Sequence, residues 1–491
     1  MQALCRCAAG RNALDDISAE LADSRATRPG AWQHRYAEAR GSLGRLRSQV
    51  CSGDNSKTGF RRCLPAAANA VTPFASTFRR KAPPLNHSPS TPSSAAKKWL
   101  PRLLCVLATI FGCLAAAFVA GALLPDIPIL STIGTIFESL FTLHIEIMAC
   151  AGLCAALLAK RLGAKQFMTG IAALSALAAL GGLVPLWSLI AAAHREGAPI
   201  SWSDHLRGMA KGPTSRPNRT ITAAIFGGRP LYVDIYLPDA STDRSKSTPV
   251  FMMHGGGFIY GSRSDGRDWD RWLSERGYTV FDVGYRLAPP LSWNIAGEDV
   301  ACAMAWAQSH AKALNIAPGH ALLVGQSAGA SLALQVAYGL GDGSVKSSCG
   351  GTVPQPAAAF ALYPADDMVL AWNSNLTLGP LNLQDTLRAY IGGSPQQFPD
   401  RYRAVSPINH LRSGLPATFI AYGQHDHLVP IAGHRLVAAR LSQLGVPNAQ
   451  LAIPYSDHGF DVVWGSLGGQ ITRHVLTGFL NQYCPARVSE S

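Results

Sequence analysis

Charge is scarce in this chain. Of its 491 residues only 15% are Asp, Glu, Lys or Arg, against 48% hydrophobic. That balance is low for a soluble protein, and it predicts a membrane portion before any window is read. Past the first hundred residues an excess of basic charge is also lacking. Residues 1–100 hold 16 Lys and Arg against 6 Asp and Glu, so they carry +10 of the formal net charge of +13. This disfavours a basic nucleic-acid face on the main domain. The excess precedes an apolar run, where it reads as a signal for membrane orientation. Missing too is any C-x-x-C pair among the eleven cysteines, which removes the spacing of a structural zinc site. Cys5, Cys7, Cys51 and Cys63 read as incidental thiols of a basic segment. Cys105, Cys113, Cys150 and Cys154 fall in apolar runs as small hydrophobes. One disulfide among Cys302, Cys349 and Cys484 suits an oxidising compartment, with the pair left open.

Length predicts two or three regions. Residues 1–98 are basic and end in a Pro/Ser/Thr tract (Pro83, Pro84, Pro89, Pro92), which reads as a segment without a core. Residues 99–195 read as a membrane region of about three helices. Leu103–Leu124 and Phe167–Ala193 contain no charge and are long enough to cross a hydrocarbon core of about 30 Å. Ser139–Ala159 is the weakest of the three, because it carries His144 and Glu146. Lys97, Lys98 and Arg102 precede the first span, and Lys160, Arg161 and Lys165 separate the second from the third. The loop expected over Pro125–Glu138 has no basic residue. The positive-inside rule then makes the N-terminus cytoplasmic and everything past the third span extracytoplasmic. A polar linker over 196–217 leads to a folded domain over 218–485 and a tail at 486–491.

In the folded domain, short strand-like runs alternate with helical patterns. Strands are expected at Thr220–Phe226, Leu231–Leu237, Val250–Met253, Thr279–Val283, Ala321–Val324, Ala357–Leu362, Thr418–Ala421 and Gln450–Ile453. Helices are expected at Asp268–Arg276, Glu298–Ala313, Ala328–Gly339, Ile431–Leu444 and Gly469–Tyr483. The alternation implies an α/β fold, a mostly parallel sheet with helices on both faces.

The fifth strand breaks into Gly325-Gln326-Ser327-Ala328-Gly329 and then directly into a helix. A G-x-S-x-G at a strand-to-helix turn presents its serine at the top of a sheet, but the pentapeptide alone also fits an ordinary turn. Three further features converge on Ser327. His254-Gly255-Gly256-Gly257 ends the third strand, and successive glycines there suit backbone N–H groups aimed at a developing oxyanion. Asp426 lies on the loop after the strand at Thr418, and His458 on the loop after the strand at Gln450. Nucleophile, acid and base thus follow in the order Ser, Asp, His at one sheet edge, as a serine hydrolase of this elbow type requires. His425, His427 and His434 compete as bases and Asp457 and Asp461 as acids. Asp457 is too close to His458 in sequence to orient its ring and reads as a loop-shaping residue. A His425/Asp426/His427 metal site lacks further ligands.

The chain resembles the α/β-hydrolase esterases and lipases with an HGGG motif, namely the BD-FAE-like and hormone-sensitive-lipase-like carboxylesterases. The residues that carry the resemblance are His254–Gly257, Tyr285-Arg286-Leu287-Ala288-Pro289, Gly325–Gly329, Asp426 with Val429-Pro430, and His458-Gly459-Phe460. The resemblance implies Gly256, Gly257 and Ala328 as oxyanion donors and His254 as support for their loop. Two positions depart from it. Gln326 stands where hormone-sensitive-lipase-like members have Asp, which brings the chain closer to the BD-FAE-like branch and to membrane-anchored prenylcysteine methylesterases. The acid often found right after Pro289 is missing, and Glu298-Asp299 comes later.

The sequence therefore predicts a membrane-anchored serine carboxylesterase with Ser327, Asp426 and His458 as its triad and no metal or organic cofactor. Its partners are a small ester with an acyl or aromatic group and the lipid bilayer, with no nucleic acid; the oligomeric state is left open. An acyltransferase or amidase on the same triad is the alternative within the fold, and a catalytically silent, membrane-tethered binding module the alternative outside it. Residues 365–403 form an insertion that either shapes an acyl pocket or packs over the sheet.

Overall fold

A computed structural model describes residues 96–164, 166–208, 216–239, 247–317, 319–379 and 381–486. The expectations for residues 1–95, for Lys165 and for the tail beyond 486 lie outside the described residues.

Three helices come first: α1 (Ala96–Leu123), α2 (Pro128–Arg161) and α3 (Phe167–Arg195). Each is long and apolar enough to cross a membrane. α2 corrects the loop expected over 125–138, most of which is helical. Pro128 stands in its first turn, where a missing N–H costs nothing. Ser131, Thr135, Glu138, Ser139 and Thr142 are buried along one face, while Ile129, Ile133 and Phe137 are exposed on the other. That is helical amphipathicity, and a search for uninterrupted apolarity passes over it. A break at Phe141 (φ −134°, ψ 28°) divides α2. The part beyond it, 142–161, rises about 30 Å, the thickness of a hydrocarbon core. Before the break α2 lies directly on α1. A Cβ on Gly121 would meet the Leu130 carbonyl at 2.1 Å, and one on Gly134 would meet the Gly121 Cα at 2.5 Å. Only glycine permits that approach.

The expected linker contains a short helix, Trp202–Arg207, capped by Ser201, whose hydroxyl accepts from the Asp204 N–H. It buries His205. The imidazole donates from Nδ1 to the Gly465 carbonyl (3.0 Å) and accepts at Nε2 from the Leu143 N–H (3.2 Å), beside the break in α2.

The sheet follows: β1 (Arg219–Phe226), β2 (Arg229–Tyr236), β3 (Pro249–Met253), β4 (Thr279–Val283), β5 (Ala321–Gln326), β6 (Pro356–Leu362), β7 (Ala417–Gly423) and β8 (Asn448–Ile453). Their spatial order is β1-β2-β4-β3-β5-β6-β7-β8. β1/β2 and β2/β4 pair antiparallel, and the remaining five pairs are parallel. β3, β4 and β7 are buried at every residue, as apolar strands covered on both faces must be. The last turns of α3 add Leu189, Ala192 and Ala193 to the same core. Cys302 and Cys349 form the disulfide, and Cys484 is buried and free. Parallel strands point their carboxyl ends to one edge, and the loops at that edge hold the candidate residues.

Candidate active site

Ser327 stands between the last residue of β5 and the helix Ala328–Asp342, with φ 52° and ψ −121°. A residue with a side chain pays for that backbone in strain, and it persists only where surroundings enforce it. Here the crossing is enforced by close packing. A Cβ on Gly325 would sit 2.2 Å from the Gly329 carbonyl, and one on Gly329 would sit 2.2 Å from the Met253 carbonyl.

The loops after β7 and β8 bring the other two groups to this serine. His458 Nε2 lies 2.9 Å from Ser327 Oγ, and His458 Nδ1 lies 2.9 Å from Asp426 Oδ2. The second oxygen of Asp426 accepts the N–H groups of Leu428 (2.8 Å) and Val429 (2.7 Å). Burial works against its charge, but the His458 ring and these two N–H groups outweigh burial, and the carboxyl is held below its usual range. Burial likewise favours neutral His458. The Asp426 carboxylate beside it prevails and raises the imidazole above its ordinary value.

The glycine loop after β3 lies against the serine: a Cβ on Gly255 would be 3.4 Å from that of Ser327. Gly256 and Gly257 have φ of 113° and 61°. Neither donates to another backbone group among the described residues. Ala328 opens its helix, where N–H groups have no intrahelical acceptor. His254 braces the loop. Its Nδ1 is 2.7 Å from the Gly255 carbonyl, its ring stacks on Tyr285 at 4.4 Å, and the Tyr285 hydroxyl donates to its carbonyl. Burial lowers its basicity and keeps the ring neutral.

The glutamine at 326 has a structural reason. Gln326 donates from Nε2 to Asp461 (2.9 Å), a buried carboxylate that also accepts from Trp269 Nε1 (2.7 Å) and the Tyr363 hydroxyl (2.6 Å). An acid at 326 would face that carboxylate instead of donating to it. Tyr363 in turn packs its ring 4.5 Å from that of His458. Asp299, the acid that comes later, pairs with Arg286 of the same motif. Fully buried, it accepts from Arg286 N (3.0 Å), Nε (2.7 Å) and Nη2 (2.5 Å).

The competing residues are engaged elsewhere. His434 pairs with Asp366 in the interior. His425 packs edge-on against Tyr455. His427 pairs with Asp457 at 2.7 Å. Among the described residues no cluster of three His, Cys, Asp or Glu is arranged for a metal.

A cavity of about 20 Å³ opens beside Ser327, walled by Phe258, Leu381, Leu383, Leu387, Leu428 and Val429. That is room for one or two water-sized groups. Three of those leucines belong to the insertion, whose helices are Met368–Ser374, Leu383–Ile391 and Pro399–Val405. Leu381, Leu383 and Leu387 of the insertion wall the cavity, while Tyr390 stacks on Phe258 at 3.9 Å. A much larger groove, about 610 Å³ between Trp272, Trp464 and Arg473, is lined by none of Ser327, Asp426 and His458.

Sequence reasoning weighed Asp461 only as a competing acid, and it missed Tyr363 and Trp269, for which no motif speaks, and the pairing of His427 with Asp457.

A family model described as BD-FAE matches residues 233–441, which ends short of His458. Esterase LipQ of Mycobacterium tuberculosis is 26% identical over 256 residues, 52% of this chain and 60% of the relative. Ethyl acetate hydrolase of Pseudomonas putida is 31% identical over 243 residues, 48% of this chain and 72% of the relative. A solved thermophilic esterase from Thermogutta terrifontis is similar with a TM-score of 0.46 at 23% identity, over 56% of this chain and 95% of that one. The chain spans 58% to 60% of the length of three mycobacterial esterases that it matches, LipQ, LipC and LipM.

Proposed function

The chain belongs to the α/β-hydrolase-fold esterases related to BD-FAE, and from that premise we propose that it is a membrane-anchored serine carboxylesterase acting on short-acyl esters. The observation that carries this reading is the continuous hydrogen-bonded path from Ser327 Oγ through His458 to Asp426, at 2.9 Å in each step.

In this mechanism Ser327 Oγ attacks the ester carbonyl carbon while His458 Nε2 takes its proton. Asp426 holds the ring so that Nδ1 donates to it, and stabilises the imidazolium. The carbonyl oxygen becomes an oxyanion among the N–H groups of Gly256, Gly257 and Ala328. Each such donor is worth about 3–4 kcal/mol at the transition state. The tetrahedral adduct expels the alcohol, which leaves with the proton from His458, and an acyl-Ser327 remains. Water, deprotonated by the same His458, attacks the acyl carbon; Ser327 recovers its proton as the acid departs. The small apolar cavity at Ser327 favours an acetyl-sized acyl group.

In this reading α1, α2 and α3 cross the membrane, with the N-terminus inside and the catalytic domain outside. Arg102, Lys160 and Arg161 at one end of the bundle support that orientation. So does the Cys302–Cys349 disulfide, which suits an oxidising compartment.

A fluorophosphonate probe tests the chemistry: Ser327 labels in the wild type and labelling disappears in Ser327→Ala. Folded wild type that does not label would overturn the reading. A reporter that needs export, fused at the C-terminus, tests the orientation; an inactive reporter reverses it.

A further inference from the structure

A second Ser–His–Asp array lies beside the first. Ser131 Oγ, in the opening turns of α2, is 3.1 Å from His427 Nε2, and His427 Nδ1 is 2.7 Å from Asp457 Oδ2. Its members touch both catalytic loops. Asp457 Oδ1 accepts the backbone N–H of His427 (2.9 Å) and of His458 (2.6 Å), so one buried carboxylate joins the loop after β7 to the loop after β8. His427 is also the residue between Asp426 and the two N–H groups, Leu428 and Val429, that hold the Asp426 carboxylate.

Ser131 itself cannot serve as a second nucleophile, because it is 2% exposed, on the buried face of its helix. Its neighbourhood is closely packed instead. Gly121 and Gly134 bring α1 and α2 into backbone contact three residues away, and the rings of Phe118 and Phe137 stack at 4.5 Å. The apolar stripe of Ile129, Ile133 and Phe137 is turned away from the buried face that carries Ser131.

We propose that Ser131, His427 and Asp457 are positioning residues, a relay by which the α1–α2 hairpin fixes the spacing of Asp426 and His458 and so sets turnover at Ser327. The proposal rests on the serine-esterase reading above. Its physical basis is that a catalytic hydrogen bond misplaced by a fraction of an ångström loses rate, and loops are held less well than sheet ends unless pinned. The membrane hairpin is then a working part of the catalytic domain as well as an anchor. A change in the packing of α2 against α1 reaches His458 through three hydrogen bonds in series.

The test uses the full-length protein in detergent micelles, with p-nitrophenyl acetate turnover divided by the concentration of sites that label with a fluorophosphonate. That division removes misfolded protein from the comparison. Ser131→Ala and His427→Ala are each expected to lower kcat by about 5- to 30-fold, the worth of one or two hydrogen bonds, with KM within about twofold. Ser131→Thr, which keeps the hydroxyl, restores most of the rate. The double variant Ser131→Ala/His427→Ala is no slower than His427→Ala alone, because both act along one path. Unchanged kcat in both single variants, threonine no better than alanine, or losses that multiply in the double variant would each overturn the relay. Those outcomes leave the wild type labelled and active, whereas a wild type that neither labels nor hydrolyses the ester refutes the esterase reading instead.

Discussion

Gln326, next to Ser327, donates a 2.9 Å hydrogen bond to Asp461, three residues past His458. The turn at Ser327 and the His458 loop are thereby joined, with Tyr363 donating to the other oxygen of Asp461 and packing against the His458 ring. Burial and the Asp461 carboxylate keep the Tyr363 phenol protonated, so it serves as a donor.

Gln326→Glu replaces the donor by a second acid. The repulsion raises the carboxyl pKa in the folded state, so stability relative to wild type is highest below about pH 4.3 and is lost as pH rises through the raised value. At pH 7 the expected loss is at least about 2 kcal/mol. Thermal unfolding of both proteins at pH 5 and pH 8 checks this; equal gaps at the two pH values would contradict the contact.

Activity should fall on the acid side as His458 becomes protonated, since the general base must be neutral. The Asp426 carboxylate raises its pKa, so the acid limb of kcat/KM lies above the ordinary histidine value of about 6.5. In Asp426→Asn the limb moves downward and kcat drops by about 10³- to 10⁴-fold. A pH–rate profile of both proteins on p-nitrophenyl acetate measures the shift, and a limb that stays in place would remove Asp426 from its role.

Arg286→Ala leaves the Asp299 carboxylate buried and without its cation. Breaking such a pair costs about 3–5 kcal/mol. The Arg286 side chain is 29% exposed, so water entering the gap places the expected loss near the lower figure. Chemical denaturation gives the number, and a loss below about 1 kcal/mol would mean that the Ser348 hydroxyl (3.0 Å) and the backbone N–H of residue 286 (3.0 Å) suffice to hold Asp299.

The Cys302–Cys349 bridge joins residues 47 apart, and closing a loop of that length stabilises by about 4 kcal/mol on the chain-entropy account. The double variant Cys302→Ala/Cys349→Ala should melt lower than wild type under oxidising conditions. With a reducing agent present the two should converge, and a difference that survives reduction argues for packing instead.

Among p-nitrophenyl esters of rising chain length, acetate is expected to be turned over best and hexanoate poorly, because the cavity at Ser327 measures about 20 Å³. Leu381→Ala removes part of its wall and should shift the preference toward longer chains. A wild type that prefers hexanoate would show that the acyl group lies elsewhere.

The sequence by itself determined whatever is written in local pattern. All eight main strands were legible because β3, β4 and their neighbours are short apolar runs, and a strand covered on both faces needs nothing else. Ser327, Asp426 and His458 were legible because each follows a strand at the same sheet edge, in an order that the elbow imposes. Three apolar helices followed from length and the absence of charge. Tertiary structure decided what depends on residues far apart in the chain. Neither Gln326 nor Asp461 announces its partner, and the reason for a glutamine beside Ser327 exists only once a carboxylate from 135 residues away is packed against it. Ser131 and His427 are 296 residues apart. The first half of α2 read as a loop because its serines, threonines and Glu138 broke the apolar run; their burial is set by what folds over them. A side chain's partner is fixed by the closing of the whole fold, and a pattern read one window at a time contains no term for it.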